Sequence, residues 1–377
     1  MPLILTINAG SSSIKFALFE CAVGSAGGAP RRLDGGSIER IGLSDGPTAD
    51  AALEQLLQWI SGRGARDLSA VAHRIVHGGP KYSAPVRLSA SVIRELRELS
   101  PFDPEHLPQE LRLAEALQQR FADLPQVACF DTAFHHDLPR VAQLLPLPNR
   151  LQAKGLRRYG FHGISYAYLM IELERLAGAA AAHGCVVLAH LGNGASLAAV
   201  RDGQPIDTSM AFTPAAGIPM STRSGDLDPG LVWYLARTEG LDAEHFNRMV
   251  NLESGLLGVS GTSPDMRDLL AREAADGRAR DAVALFCYQA RKYIGAYAAA
   301  LGGLDTLVFA GGIGEHAAAV RARICEGLEF LGVCLDPARN AAHAGLISAD
   351  GGRVAVRVIP TDEEWMMARL VAGTLRL

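Results

Sequence analysis

No uninterrupted apolar run in the sequence approaches the ~18 residues that a membrane-spanning helix requires, which excludes that architecture. The amino terminus is apolar but has no basic n-region, and a Gly-Ser cluster interrupts it, so no secretory leader is expected. A basic excess is missing too. Against 36 Lys and Arg stand 40 Asp and Glu, a formal net charge of -4, which argues against nucleic acid as a partner. A local anion site is untouched by that argument. Paired cysteine spacings are also lacking: Cys21, Cys129, Cys185, Cys287, Cys325 and Cys334 are scattered, mostly inside apolar runs. They read as small core residues in a reducing compartment, with the cytoplasm as the expected location. There is no Walker A loop, because no Gly-Lys-Ser/Thr carries a Gly-rich run into a helix.

What is present is an alternation of strand-like and helix-like apolar patterns, which points to an α/β fold. With 377 residues the chain is expected to form two domains, since single cores stop growing near ~250–300 residues. Short apolar runs predict strands at Leu3–Ile7, Ile14–Phe19, Val71–Val76, Val127–Phe130, Val186–Leu191, Thr306–Ala310 and Val354–Ile359. Helical patterns cover Leu53–Ile60, Val92–Leu99, Leu111–Phe121, Tyr166–Leu176 and Ala282–Leu301, and Gly24–Arg31 reads as a surface loop. One internal echo suggests duplication. LTINAGSSSIKFAL, from Leu5, and VLAHLGNGASLAAV, from Val187, each read as strand, Asn/Gly/Ser turn and strand. Asp202-Gly203 then turns the second copy into a third strand ending near Thr208. Two unrelated Gly-rich hairpins are the plainer alternative.

Successive backbone N–H groups in a Gly/Ser turn form a nest for anions, and glycine lets a ligand approach the backbone closely. In NAGSSSIK (8–15), hydroxyls such as those of Ser11 and Ser13 add donors and Lys15 adds a point charge. VFAGGIGEH, from Val308, reads as a strand, a Gly-Gly-Ile-Gly turn and a helix starting near Glu315, suited to close packing on a nucleotide. Each loop alone is equally a plain turn. Three in one chain point to nucleotide phosphate.

A family resemblance rests on NAGSSSIK (8–15), HRIVHGG (73–79), FDTAFH (130–135), RRYGFHG (157–163), HLGNGASLAAV (190–200), DTSMAFTP (207–214), TRSGDLDPG (222–230), SPDMRD (263–268), GGIGEH (311–316) and PTDEE (360–364). In this order the segments resemble the acetate kinase family, within the superfamily that also holds sugar kinases and actin. The resemblance implies an α/β fold of two domains with duplicated ribonuclease H-like (actin-like ATPase) topology and an interdomain active-site cleft. Residues 1–150 would form the first domain, completed by a carboxyl-terminal helix at 364–377, and 151–363 the second, nucleotide-binding one. On that helix Trp365, Met366, Met367 and Leu370 are spaced to bury one face. The activity implied is reversible, Mg2+-dependent transfer of the ATP γ-phosphoryl group to acetate, giving acetyl phosphate and ADP, with Mn2+ as a substitute metal. The partners implied are small molecules and a second copy in a homodimer.

Such a reaction depends on positioning and on neutralising charge around a metaphosphate-like transition state. Its carboxylate nucleophile is already ionised at neutral pH, so cations matter more than a strong base. By resemblance, Arg74 would hold the acetate carboxylate, while Arg223 and His162 would stabilise the transferring phosphoryl group. Asp131 matches the family's acid/base residue. The chemistry instead favours a supporting part for it, orienting Arg223 or a magnesium-bound water, and helix capping is the bland alternative. Asn8 and Glu363 match metal-associated positions. Contacts to ATP are implied for Ser11, Ser13, Lys15, His190, Leu191, Gly192, Asn193, Gly194, Asp265, Met266, Arg267, Gly312, Ile313, Gly314 and Glu315. Val76, Phe161 and Pro214 would line the acetate methyl pocket. One buried methyl contributes only about 1 kcal/mol, so discrimination against propionate should be modest.

The family's Pro-Leu-His-Asn-Pro is here Pro101-Phe102-Asp103-Pro104-Glu105, which puts acyl-chain preference in question. Propionate or butyrate kinase activity is therefore one alternative. A non-catalytic, actin-like ATP-binding regulator is another, whose signature would be loss of the cationic residues. A zinc hydrolase using His135, His136 and Asp137 lacks recognisable ligand spacing.

Overall fold

A computed structural model describes residues 1–10, 13–21, 29–42, 46–62 and 67–377. Ser11, and residues 24–28 of the expected loop, lie outside the described residues. The chain divides into two compact units. Unit 1 comprises Met1–His136, Gly163–Tyr168 and Asp362–Leu377, and unit 2 comprises Asp137–His162 and Leu169–Thr361.

Unit 1 is built on β1 (Leu3–Ala9), β2 (Ile14–Glu20), β3 (Arg31–Ile38), β4 (Leu68–Ile75), β5 (Val86–Arg87) and β6 (Gln126–Phe130), in the order β3-β2-β1-β4-β6-β5. Unit 2 has β7 (Cys185–Leu191), β8 (Ala195–Arg201), β9 (Gln204–Thr208), β10 (Thr306–Ala310) and β11 (Ala355–Val358), in the order β11-β10-β7-β8-β9. In both sheets three strands form an antiparallel meander, and the first of them pairs parallel with a later strand that pairs parallel with another. Thus β1, β2, β3, β4 and β6 correspond to β7, β8, β9, β10 and β11. The echo between the two hairpins is a duplication of topology.

Local chemistry explains these elements. β10 reads TLVFA with all five residues buried, as expected of a parallel strand covered on both faces. Asp202 and Gly203 both have positive φ, 54° and 74°, the pairing that a tight hairpin between β8 and β9 demands. The helix Gly277–Leu301 is capped by the Asp276 carboxylate and ends at Gly302, left-handed at φ 77°. β3 and β5 were not expected from the sequence. Both are sheet edges, and RRLDGGSI in β3 leaves most side chains to solvent, so no apolar alternation marks it.

Two further expectations change. The helix expected near Glu315 spans Gly311–His316, so the Gly-Gly-Ile-Gly segment is itself its first turn. Gly311 allows this: its φ is 74°, and a Cβ there would sit 2.7 Å from the Leu191 carbonyl oxygen. The carboxyl-terminal helix Glu363–Leu375 packs on β1 and β4 and buries Met366, Met367, Ala368 and Val371. Trp365 and Leu370 are only half-buried, and the Trp365 indole N–H donates to the Pro30 carbonyl at 3.1 Å.

Candidate active site

In unit 1 the expected residues gather at the carboxyl ends of the parallel strands, where α/β folds place their sites. Asn8 lies near the end of β1, Arg74 near the end of β4, Val76 just past it, and Asp131 just past β6. The Arg74 guanidinium is held from three directions. Nη2 donates to Asp131 Oδ2 at 2.5 Å, and Nη1 donates to the Ala9 carbonyl at 3.1 Å and to Glu110 Oε1 at 3.3 Å. A guanidinium has five N–H donors, so two remain for a ligand carboxylate, enough for bidentate recognition. Burial pulls the Arg74 pKa down, but Asp131, Glu110 and Glu363 outweigh it and the net shift is upward; the side chain stays charged. The sequence reading paired Asp131 with Arg223 or a water; in the structure its carboxylate is paired with Arg74. Nor does it cap a helix: the short turn Ala133–His135 follows Thr132 without a side-chain cap.

Glu110 was missed. It is 3% exposed, and its second oxygen accepts the Val76 N–H at 2.8 Å. Burial pushes its carboxyl up to about 8, against the opposing pull of Arg74 and the Val76 N–H. A sequence signal existed: positions 107, 110, 111, 114 and 117 form one helical stripe, and only Glu110 in it is polar.

The Asn8 amide donates to Glu363 Oε2 at 2.7 Å and Glu364 Oε1 at 3.2 Å. Burial, then the neighbouring Glu363, raise the Glu364 pKa. A divalent cation would relieve that crowding, and these hard oxygen donors suit Mg2+. Lys15 is exposed and pairs across the hairpin with Asn8. In the turn between them Gly10 N–H donates to the Ser13 carbonyl at 2.7 Å. Val76 is 2% exposed. Phe102, in the altered segment, sets its ring edge against His77 with centroids 5.3 Å apart. His135 is a buried ring against Tyr166. Among the described residues no group of three or more His, Cys, Asp or Glu is arranged to hold a metal.

In unit 2 the loop after β7 gathers a second cluster. His162 sits at φ 57°, left-handed and strained for a residue with a side chain. Its Nδ1 lies 2.9 Å from Ser196 Oγ, and its ring stacks on His190 with centroids 4.3 Å apart. Ser196, also missed, is fully buried and faces His190 across the β7–β8 ladder. Gly194 marks where the His162 ring and the Arg223 guanidinium converge. A Cβ built there would lie 3.1 Å from His162 Nε2 and 3.4 Å from Arg223 Nη1. The Arg223 segment is fixed by backbone bonds from Met220 N–H to the Arg223 carbonyl at 2.9 Å and from Ser221 N–H to the Asn193 carbonyl at 3.1 Å. Gly192 N–H donates to the Gly194 carbonyl at 3.0 Å, closing the turn. Leu191 is fully buried, leaving its backbone to the loop.

Gly312, Ile313, Gly314 and Glu315 lie on the helix Gly311–His316, which packs on β7. Glu315 Oε1 accepts the N–H groups of Gly311 at 2.9 Å and Thr361 at 3.2 Å. Asp265 caps the helix Met266–Arg272 and binds the exposed Arg267 at 2.6 Å, while Met266 is buried. Phe161 is buried, and the N–H groups of Tyr159 and Gly160 bond the Ala211 carbonyl, three residues before buried Pro214.

A model of the acetokinase family matches residues 3–369. An acetate kinase of Rhodopseudomonas palustris is 46% identical, over 98% of this chain and 97% of its own. A propionate kinase of Citrobacter rodentium is 42% identical, over 97% and 95%. Among solved structures, the Porphyromonas gingivalis acetate kinase is 36% identical with a TM-score of 0.86, covering 98% of both chains. A propionate kinase of Francisella tularensis is 34% identical with a TM-score of 0.87, covering 98% of this chain and 99% of its own. Its sequence and its duplicated, actin-like α/β fold agree: this chain belongs to the acetokinase family.

Proposed function

We propose that the chain transfers the γ-phosphoryl group of ATP to acetate, reversibly, giving acetyl phosphate and ADP. The observation that carries this reading is the approach of His162 Nε2 and Arg223 Nη1 to one glycine, Gly194, in an anion-binding turn. Two donors aimed at one small space suit a migrating PO3 group. On this reading Arg74 grips the acetate carboxylate, with Asp131 holding the guanidinium in place. An acetate oxygen forms the new P–O bond as the bond to the β-phosphate oxygen breaks, and ADP leaves. His162 and Arg223 offset the charge that spreads over the equatorial oxygens. Val76, Phe161 and Pro214 take the methyl. The turns at 10–13, 192–194 and 311–315, with Lys15, take the phosphates and the nucleoside. Asn8 and Glu363, with Glu364 beside them, would hold Mg2+, which supplies charge neutralisation at the phosphates when bound.

The test is hydroxylamine trapping of the acyl phosphate with ATP and Mg2+, using acetate, propionate and butyrate. Acetate should give the highest kcat/KM; absence of any hydroxamate refutes the reading. The propionate kinase relatives favour propionate as the second reading. A higher kcat/KM for propionate decides for it.

We further propose a homodimer. The helix Gly230–Thr238 buries none of its residues, and Leu231, Val232, Trp233 and Tyr234 are exposed beside Leu227, an apolar face that a second copy would cover. All six cysteines are free, in keeping with a cytoplasmic location. No described helix is long and apolar enough to cross a membrane.

A further inference from the structure

We propose that Glu110 is a positioning residue for the carboxyl substrate, tying Arg74 and the Val76 backbone to one rigid helix. The proposal rests on the phosphoryl-transfer reading above. Glu110 lies on the buried stripe of the helix Leu107–Arg120, among Leu107, Leu111, Ala114 and Leu117. Leucine would serve packing there, whereas a carboxylate is costly to desolvate unless its oxygens are paired. Both are. One accepts Arg74 Nη1 at 3.3 Å and the other accepts the Val76 N–H at 2.8 Å.

Arg74 is the penultimate residue of β4 and Val76 lies in the bend that follows it, two residues on. A single carboxylate therefore sets the spacing between the group that grips the substrate carboxylate and the wall that meets its acyl chain. Asp131 alone would leave the guanidinium able to pivot about one contact. Glu110 and the Ala9 carbonyl, both on Nη1, remove that freedom. Glu110 touches neither the reacting atoms nor the nucleotide loops on this account, and its loss should fall on the acyl substrate.

The experiment compares wild type, Glu110→Ala and Glu110→Gln by hydroxamate formation, titrating acetate, propionate and ATP separately, with melting curves alongside. Glu110→Ala should raise KM for acetate by roughly tenfold or more and change the acetate-to-propionate ratio, with KM for ATP within about twofold. Glu110→Gln keeps one acceptor oxygen, for the Val76 N–H, and sets an NH2 donor in place of the oxygen that accepts from Arg74, so its KM for acetate should rise less, by about threefold or more. A purely structural residue would lower the yield of active enzyme and leave both KM values alone. KM for acetate within about twofold of wild type in folded Glu110→Ala overturns the proposal. If that variant does not fold, the same result in Glu110→Gln overturns it. No hydroxamate from wild type defeats the underlying reading instead.

Discussion

Replacing Gly194 with alanine isolates the convergence of His162 and Arg223 from the stability of the fold. Gly194 is not among the positive-φ glycines, so its backbone accepts a side chain without strain. Restricting the unfolded chain should even raise stability slightly, by up to about 1 kcal/mol. The new methyl, however, would lie 3.1 Å from His162 Nε2 and 3.4 Å from Arg223 Nη1, inside the ~3.5–4 Å of an ordinary contact. The imidazole cannot swing away cheaply. Its backbone is fixed at φ 57°, Nδ1 is held 2.9 Å from Ser196 Oγ, and His190 stacks on the ring. Both groups must therefore yield by a few tenths of an ångström, or the phosphoryl group must. A misplacement of ~1 Å costs about 100-fold, so the smaller one should lower kcat by about 3- to 30-fold, or about 1–2 kcal/mol. Initial rates of hydroxamate formation and a melting curve on the same preparation give the answer. A kcat within about twofold of wild type, at unchanged Tm, would show that the space around Gly194 is not where the chemistry occurs.

Arg223→Ala should lose at least about 100-fold in kcat while ADP affinity by calorimetry changes little, because the contact belongs to the transition state; near-normal turnover would remove Arg223 from its assigned part. His73 is buried against Gln126 and burial lowers its pKa to about 4, so the unfolded chain takes up its proton first as pH falls below 6.5. Its contribution is full above pH 6.5 and is lost towards pH 4, about 3 kcal/mol in all, so His73→Asn should show a shallower fall in Tm over that window. Trp233→Glu should shift the mass measured by light scattering from dimer to monomer; an unchanged mass would discard that helix as the interface.

The sequence alone determined which segments form the two hairpins and the apolar core strands, since turn chemistry and apolar periodicity act over a few residues. NAGSSSIK and HLGNGAS announced the two equivalent turns, and TLVFA announced a strand, whose burial on both faces only the structure showed. Arg74, Asp131, His162 and Arg223 could be marked as candidates from their motifs. Tertiary structure decided what those side chains touch. β1 pairs with β4, whose residues lie some 65 positions later, and β4 pairs with β6; those registers, absent from any local signal, bring Arg74 to Ala9 and to Asp131. The polar edge strand β3 has no periodicity to betray it, because its outer neighbour is water. Glu110 shows the division most clearly. Its place on an apolar stripe was legible as burial, but the carboxylate acquires a purpose only when the fold sets an arginine and a backbone N–H against it. Local propensity is written residue by residue, whereas electrostatic partnership depends on distances that exist only after the chain has closed upon itself.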